Sequence, residues 1–128
     1  MMRPRLLLID DEPALADFVA NAARESGFDP SVASDAETFR SRFREYRPDG
    51  VALDLGMPVD GVELLRFLSD EAFDGPVLII SGFDRRVLES AFRLGEALGL
   101  KMMGPLEKPV RLEDLEELLK RMKPVVPS

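Results

Sequence analysis

Short apolar runs, each followed by a stretch of helical spacing, constrain this chain more than any other feature. Arg5 to Asp10, apolar from Leu6 to Ile9, with Val51 to Asp54 and Pro76 to Ile80, each apolar until a polar group ends it, read as buried strands. Residues 28–33 form a weaker strand. Pro30 points to a sheet edge, because a central strand would lose a ladder hydrogen bond there. Lys101 to Met103 begins a short fifth strand.

Between them lie helices. Pro13 stands where a first helical residue loses nothing by lacking an N–H; Leu15, Phe18, Val19 and Ala22 follow, and Gly27 takes the C′ place. Ser34 with Glu37 reads as a capping box for a helix with Ala36, Phe39 and Phe43 on one face and Tyr46 near its end. Asp60 and Glu63 open a third helix, with Val62, Leu65 and Leu68 inward, and Gly75-Pro76 closes that unit. Asp84 to Leu98 is a fourth helix. Leu112, Leu115, Leu118, Leu119 and Met122 mark a fifth, which Pro124 stops. Strict alternation of this kind predicts an α/β fold, a doubly wound (βα)5 parallel sheet with ligands at the carboxyl ends of the strands. At 128 residues the chain makes one domain, residues 1–123, with 124–128 as a tail or the stump of a linker.

The strand ends carry the chemistry. Asp54 sits where an apolar run meets Gly56 and Pro58, so its carboxylate is exposed on a rigid element. A carboxylate there can accept a phosphoryl group as an acyl phosphate, if charge on the transferring oxygens is neutralised. Asp10 and Asp11, after the first strand, add two carboxylates whose mutual repulsion calls for a cation. Hard oxygen ligands in a partly open site suit Mg2+ among Asp10, Asp11 and Asp54, with Asp11 as direct ligand, Asp10 acting through water and Gly56 offering its carbonyl. Glu12 reads as a helix-start acid favoured by the macrodipole. Ser81, after the fourth strand, can donate a hydroxyl to a phosphoryl oxygen. Lys108 can reach the same group, and Pro109 after it restrains the direction of its backbone.

A net charge of −7 argues against a nucleic-acid surface, and no apolar run nears membrane-spanning length, so a cytoplasmic protein is expected. With no histidine and no cysteine, the chain has neither an internal phosphohistidine nor thiol chemistry. Any phosphoryl group must arrive from another molecule.

Ile9-Asp10-Asp11-Glu12, Asp54-Leu55-Gly56-Met57-Pro58, Ser81 and Lys108-Pro109 together resemble the receiver domain of two-component response regulators, with the chemotaxis receiver the simplest relative. The resemblance implies a flavodoxin-like sheet of order 2-1-3-4-5, Asp54 as phosphoacceptor, Asp10 and Asp11 as the metal pair, Ser81 as switch hydroxyl and Lys108 as conformational lysine. It also implies a sensor histidine kinase or histidine phosphotransfer protein as donor. The domain accepts the group, and assists its own phosphorylation and dephosphorylation, without being an enzyme. Receivers usually carry an aromatic or histidine three residues before the lysine. Here that position is Pro105, which cannot swing.

Other readings fit less well. A haloacid-dehalogenase-type phosphatase needs a second Asp where Gly56 stands, and a flavodoxin-like mononucleotide binder would be repelled by Asp10-Asp11-Glu12. A receiver fold that signals without phosphate is the alternative favoured by Pro105. A second is a receiver belonging to a longer regulator, since Leu98 to Pro109 looks like receivers joined to cyclic-di-GMP phosphodiesterase domains. On the fourth helix, Val87, Ala91, Leu94 and Leu98 are expected as the core face. Leu88 and Phe92 are then expected toward solvent, as a partner or dimer surface on the fourth-helix and fifth-strand face, moved through Ser81 and Phe83.

Overall fold

The computed structural model describes residues 3–54, 58–82 and 85–123, and only the backbone of 58–60. Gly56, Phe83, Asp84, the side chain of Asp60 and the tail from Pro124 to Ser128 lie outside the described residues. Five strands, β1 (Arg5–Ile9), β2 (Asp29–Ala33), β3 (Gly50–Asp54), β4 (Pro76–Ser81) and β5 (Lys101–Glu107), alternate with five helices. The helices are α1 (Pro13–Glu25), α2 (Ala36–Tyr46), α3 (Pro58–Asp70), α4 (Arg85–Ala97) and α5 (Leu112–Met122). All pairings are parallel, in the order β2-β1-β3-β4-β5. Pro30 is therefore on an edge strand, as its missing donor requires.

Because side chains alternate across a strand, each buried run feeds two cores. Leu7, Ile9, Val51, Leu53, Val77 and Ile79 pack with Phe39, Phe43, Leu64, Leu65, Leu68, Leu88 and Ala91 from α2, α3 and α4. Leu6, Leu8, Ala52, Leu78 and Ile80 pack with α1 and α5 through Ala16, Val19, Leu115, Leu119 and Met122. On the first face Phe43 meets Phe67 and Phe73 edge-on, with centroids 5.3 and 5.4 Å away, a favoured aromatic geometry.

Three expectations are corrected. The α2 cap is Asp35, whose carboxylate accepts from the Thr38 amide at 2.7 Å; two adjacent cap-forming residues left a one-residue ambiguity with Ser34. β5 extends past Met103 to Glu107 through a register shift, Leu78 facing Met103 and Ile80 facing Leu106. Gly104 absorbs the extra residue at φ +92°, in a bulge where an added Cβ would press on Leu106 N and Ile79 O. On α4, Leu88 is fully buried while Val87 is 38% exposed, so Leu88 belongs to the core and to no partner surface. Phe92 is half-buried and outside both cores.

Candidate functional site

β1 and β3 are neighbours with Ile9 opposite Leu53, so the next residues, Asp10 and Asp54, emerge side by side at the carboxyl rim. One carboxylate oxygen each from Asp10, Asp11 and Asp54 fall within 4.8 Å of one another. Asp10 is only 4% exposed and Asp11 is exposed, while the Asp54 side chain is 1% exposed, which corrects the expectation of an exposed carboxylate: Lys108 and the neighbouring acids cover it at the rim. Asp10 Oδ1 accepts from the Glu12 amide at 2.8 Å. Asp10 Oδ2 and Asp54 Oδ1 are buried and have no donor among the described residues. Buried acceptors are normally satisfied, and leaving one bare costs about 1–3 kcal/mol, more for a charged group.

The electrostatics agree. Burial, then a hydrogen bond available from a protonated Asp10 to Asp54, push the Asp10 carboxyl up to about 7, against the Glu12 amide that favours its charged form. The described cation at the rim is Lys108, whose Nζ lies 3.0 Å from Asp54 Oδ2 and 3.5 Å from Glu12 Oε2. Burial alone would lower the Lys108 pKa. The hydrogen bond and charge of Asp54, with Asp10 and Glu12, outweigh burial and hold it above the usual lysine range. The bulge in β5 sets this up by bringing Glu107 opposite Ser81, after which the Lys108 amide donates to the Ser81 carbonyl at 3.0 Å. Ser81, 1% exposed at the end of β4, thus shares the rim with both.

Among the described residues one lysine stands against the Asp10, Asp11 and Asp54 carboxylates, so the cluster carries an excess of negative charge, and its two oxygens without donors could serve as ligands to a cation. Hard, anionic oxygen donors in a rim open on one side fit Mg2+, which keeps part of its water shell. Pro105, half-buried, stands on β5 beside a recess of about 490 Å3 bordered by Leu88, Arg85 and Glu107.

A sequence profile described as the response regulator receiver domain matches residues 6–120. The chain belongs to this family. It is a receiver domain of two-component response regulators, in the receiver strand order. Similar proteins include the DNA-binding response regulator MtrA of Mycolicibacterium smegmatis, 41% identical over 68 residues, 52% of this receiver and 30% of MtrA. The transcriptional regulatory protein TrcR of Mycobacterium tuberculosis is 38% identical over 81 residues, 62% of this receiver and 32% of TrcR. The matches thus span about a third of these curated relatives. Among solved structures, the Francisella response regulator 1452 receiver domain superposes with a TM-score of 0.73 at 28% identity, covering 94% of this chain and 99% of that one.

The receiver brings Asp10, Asp11, Asp54, Ser81 and Lys108 together as the sequence led one to expect. Gly56 lies outside the described residues. The Glu12 side chain against Lys108 was not anticipated: a helix-start acid carries no sign that it will reach a lysine 96 positions away. Among the described residues no helix is long and apolar enough to cross a membrane.

Proposed function

We propose that Asp54 is the phosphoacceptor, with Mg2+ held by Asp10, Asp11 and Asp54. The observation that carries this reading is the pair of buried carboxylate oxygens without donors beside a single lysine. A carboxylate oxygen of Asp54 forms the new P–O bond as the P–N bond of a donor phosphohistidine breaks. The electron pair leaves on the imidazole, which takes up a proton. Bound Mg2+ supplies charge neutralisation to the phosphoryl oxygens. Lys108 moves its hydrogen bond from Asp54 to the new phosphoryl group, and Ser81 donates its hydroxyl to the same group. The chain is an acceptor that assists its own phosphorylation and dephosphorylation, not an enzyme, and it works in the cytoplasm with a sensor kinase or phosphotransfer protein.

Incubation with acetyl phosphate and Mg2+ is expected to load one phosphoryl group, mapped by mass spectrometry to the peptide holding Asp54 and absent with a chelator. A label on Ser81, or chelator-resistant labelling, would overturn the assignment.

The output surface we assign to the α4 and β5 face, with Phe92 in place of Leu88, because Phe92 is half-buried yet packs into neither core. Burying an aromatic side chain contributes roughly 1.5–3 kcal/mol, enough to change association about tenfold or more. Phe92→Ser should weaken self-association of the phosphorylated protein in sedimentation with little change in melting temperature. A large thermal loss with association intact would instead make Phe92 a core residue.

A further inference from the structure

At the opposite end of the sheet, three arginines surround a recess of about 430 Å3 lined by Arg3, Arg5, Arg24, Phe28, Asp29 and Pro30. Two acids share this end of the sheet, Asp29 in the lining and Asp49, whose Oδ2 accepts from the Arg5 amide at 2.8 Å, so the three guanidinium groups outnumber the carboxylates beside them. Among the described residues none of the three forms an ion pair, although Asp29 stands opposite Arg5 in the β1–β2 register. Arg5 is held in place, donating to the Tyr46 carbonyl at 2.7 Å with its guanidinium carbon 4.9 Å from the Tyr46 ring centroid. Arg24 donates one N–H to Asn21 Oδ1 at 3.0 Å. Lys123 adds a fourth cation, its Nζ standing close beside Gly27 at the end of α1. On a chain of net charge −7, this concentration of positive charge is set apart from the acidic rim.

Guanidinium groups with spare donors match the oxygens of a phosphate by paired hydrogen bonds, and several lining one recess favour a compact polyanion over chloride. The helix end does not block such a ligand: the carbonyls of Ala22, Ala23 and Arg24 already accept from the Ser26, Phe28 and Gly27 amides. We propose that the Arg3–Arg5–Arg24 recess binds a diphosphate group, free or carried by a nucleoside, independently of the Asp54 site.

The test is a titration of the full isotope-labelled chain with inorganic pyrophosphate and with ADP, free of divalent cations and matched against sodium chloride at equal ionic strength. Saturable amide shifts are expected at residues 3–5 and 24–30, weakened about tenfold by Arg24→Gln and by Arg3→Gln, with acetyl phosphate labelling of Asp54 unchanged. ADP binding more tightly than pyrophosphate identifies a nucleoside diphosphate; equal affinity identifies the bare diphosphate. Shifts that follow ionic strength alone, shifts confined to residues 10–12 and 54, or affinity unchanged in both variants would overturn the proposal. Arg3 lies outside every helix and strand, so Arg3→Gln keeps the test valid if Arg24→Gln disturbs α1.

Discussion

Asp10→Asn is expected to make the metal-free protein more stable and the phosphoryl acceptor far less reactive. Asp10 is buried beside Asp54 with one oxygen bare, so its charged form is disfavoured and its carboxyl is pushed up to about 7. A folded-state pKa above the unfolded value means the native chain holds the proton more tightly. That contribution to stability is complete below about pH 4 and is lost as pH rises through about 7. Asparagine removes the charge and keeps the shape, so at pH 8 the gain is about 1–3 kcal/mol, or several degrees in melting temperature. Thermal scans at pH 5 and pH 8 in chelator check both parts: wild type loses stability between them, and Asp10→Asn loses less. The same change weakens Mg2+ binding, and several kcal/mol of charge stabilisation correspond to a labelling rate lower by about a hundredfold or more. A variant that labels at the wild-type rate would remove Asp10 from the metal set.

Much of this was legible in the residues because the strands are buried on both faces and announce themselves as unbroken apolar runs. Pro30 even marked the edge of the sheet. The α4 wheel misplaced Val87 and Leu88 for a specific reason: Gly95 is buried and packs so closely on β5 that a Cβ would clash with Met102 Sδ. Glycine adds nothing to a hydrophobic pattern, so the expected face kept Ala91, Leu94 and Leu98, which do pack on the core, but took Val87 in place of Leu88. β5 was underestimated because Gly104, Pro105 and Glu107 are poor strand residues by composition, and only pairing with β4 keeps them extended. The acid cluster was readable as three aspartates at the ends of two apolar runs. The distance over which Glu12 reaches Lys108 is a tertiary fact with no local signature.

Lys108→Ala is expected to move stability the other way and to separate phosphorylation from its conformational consequence. Its ammonium stands 3.0 Å from a nearly fully buried Asp54 carboxylate and is itself 25% exposed. Removing the cation from a fully buried pair costs about 3–5 kcal/mol, and partial solvent access at the lysine reduces this to about 1–3 kcal/mol here. The loss should be largest without Mg2+, since a bound divalent ion takes over part of the compensation. It should also shrink when Asp10→Asn is added, because the lysine then faces one charge fewer. The double-mutant cycle measures that coupling directly. Asp54 keeps its oxygens in Lys108→Ala, so acetyl phosphate still labels it, yet no ammonium transfers from the carboxylate to the phosphoryl group. Amide shifts on phosphorylation should then stay close to residues 10–12 and 54, whereas in wild type they extend along β4, α4 and β5. Equal shifts in both proteins, or single-mutant effects on stability that simply add, would show that Lys108 is a bystander to the rim.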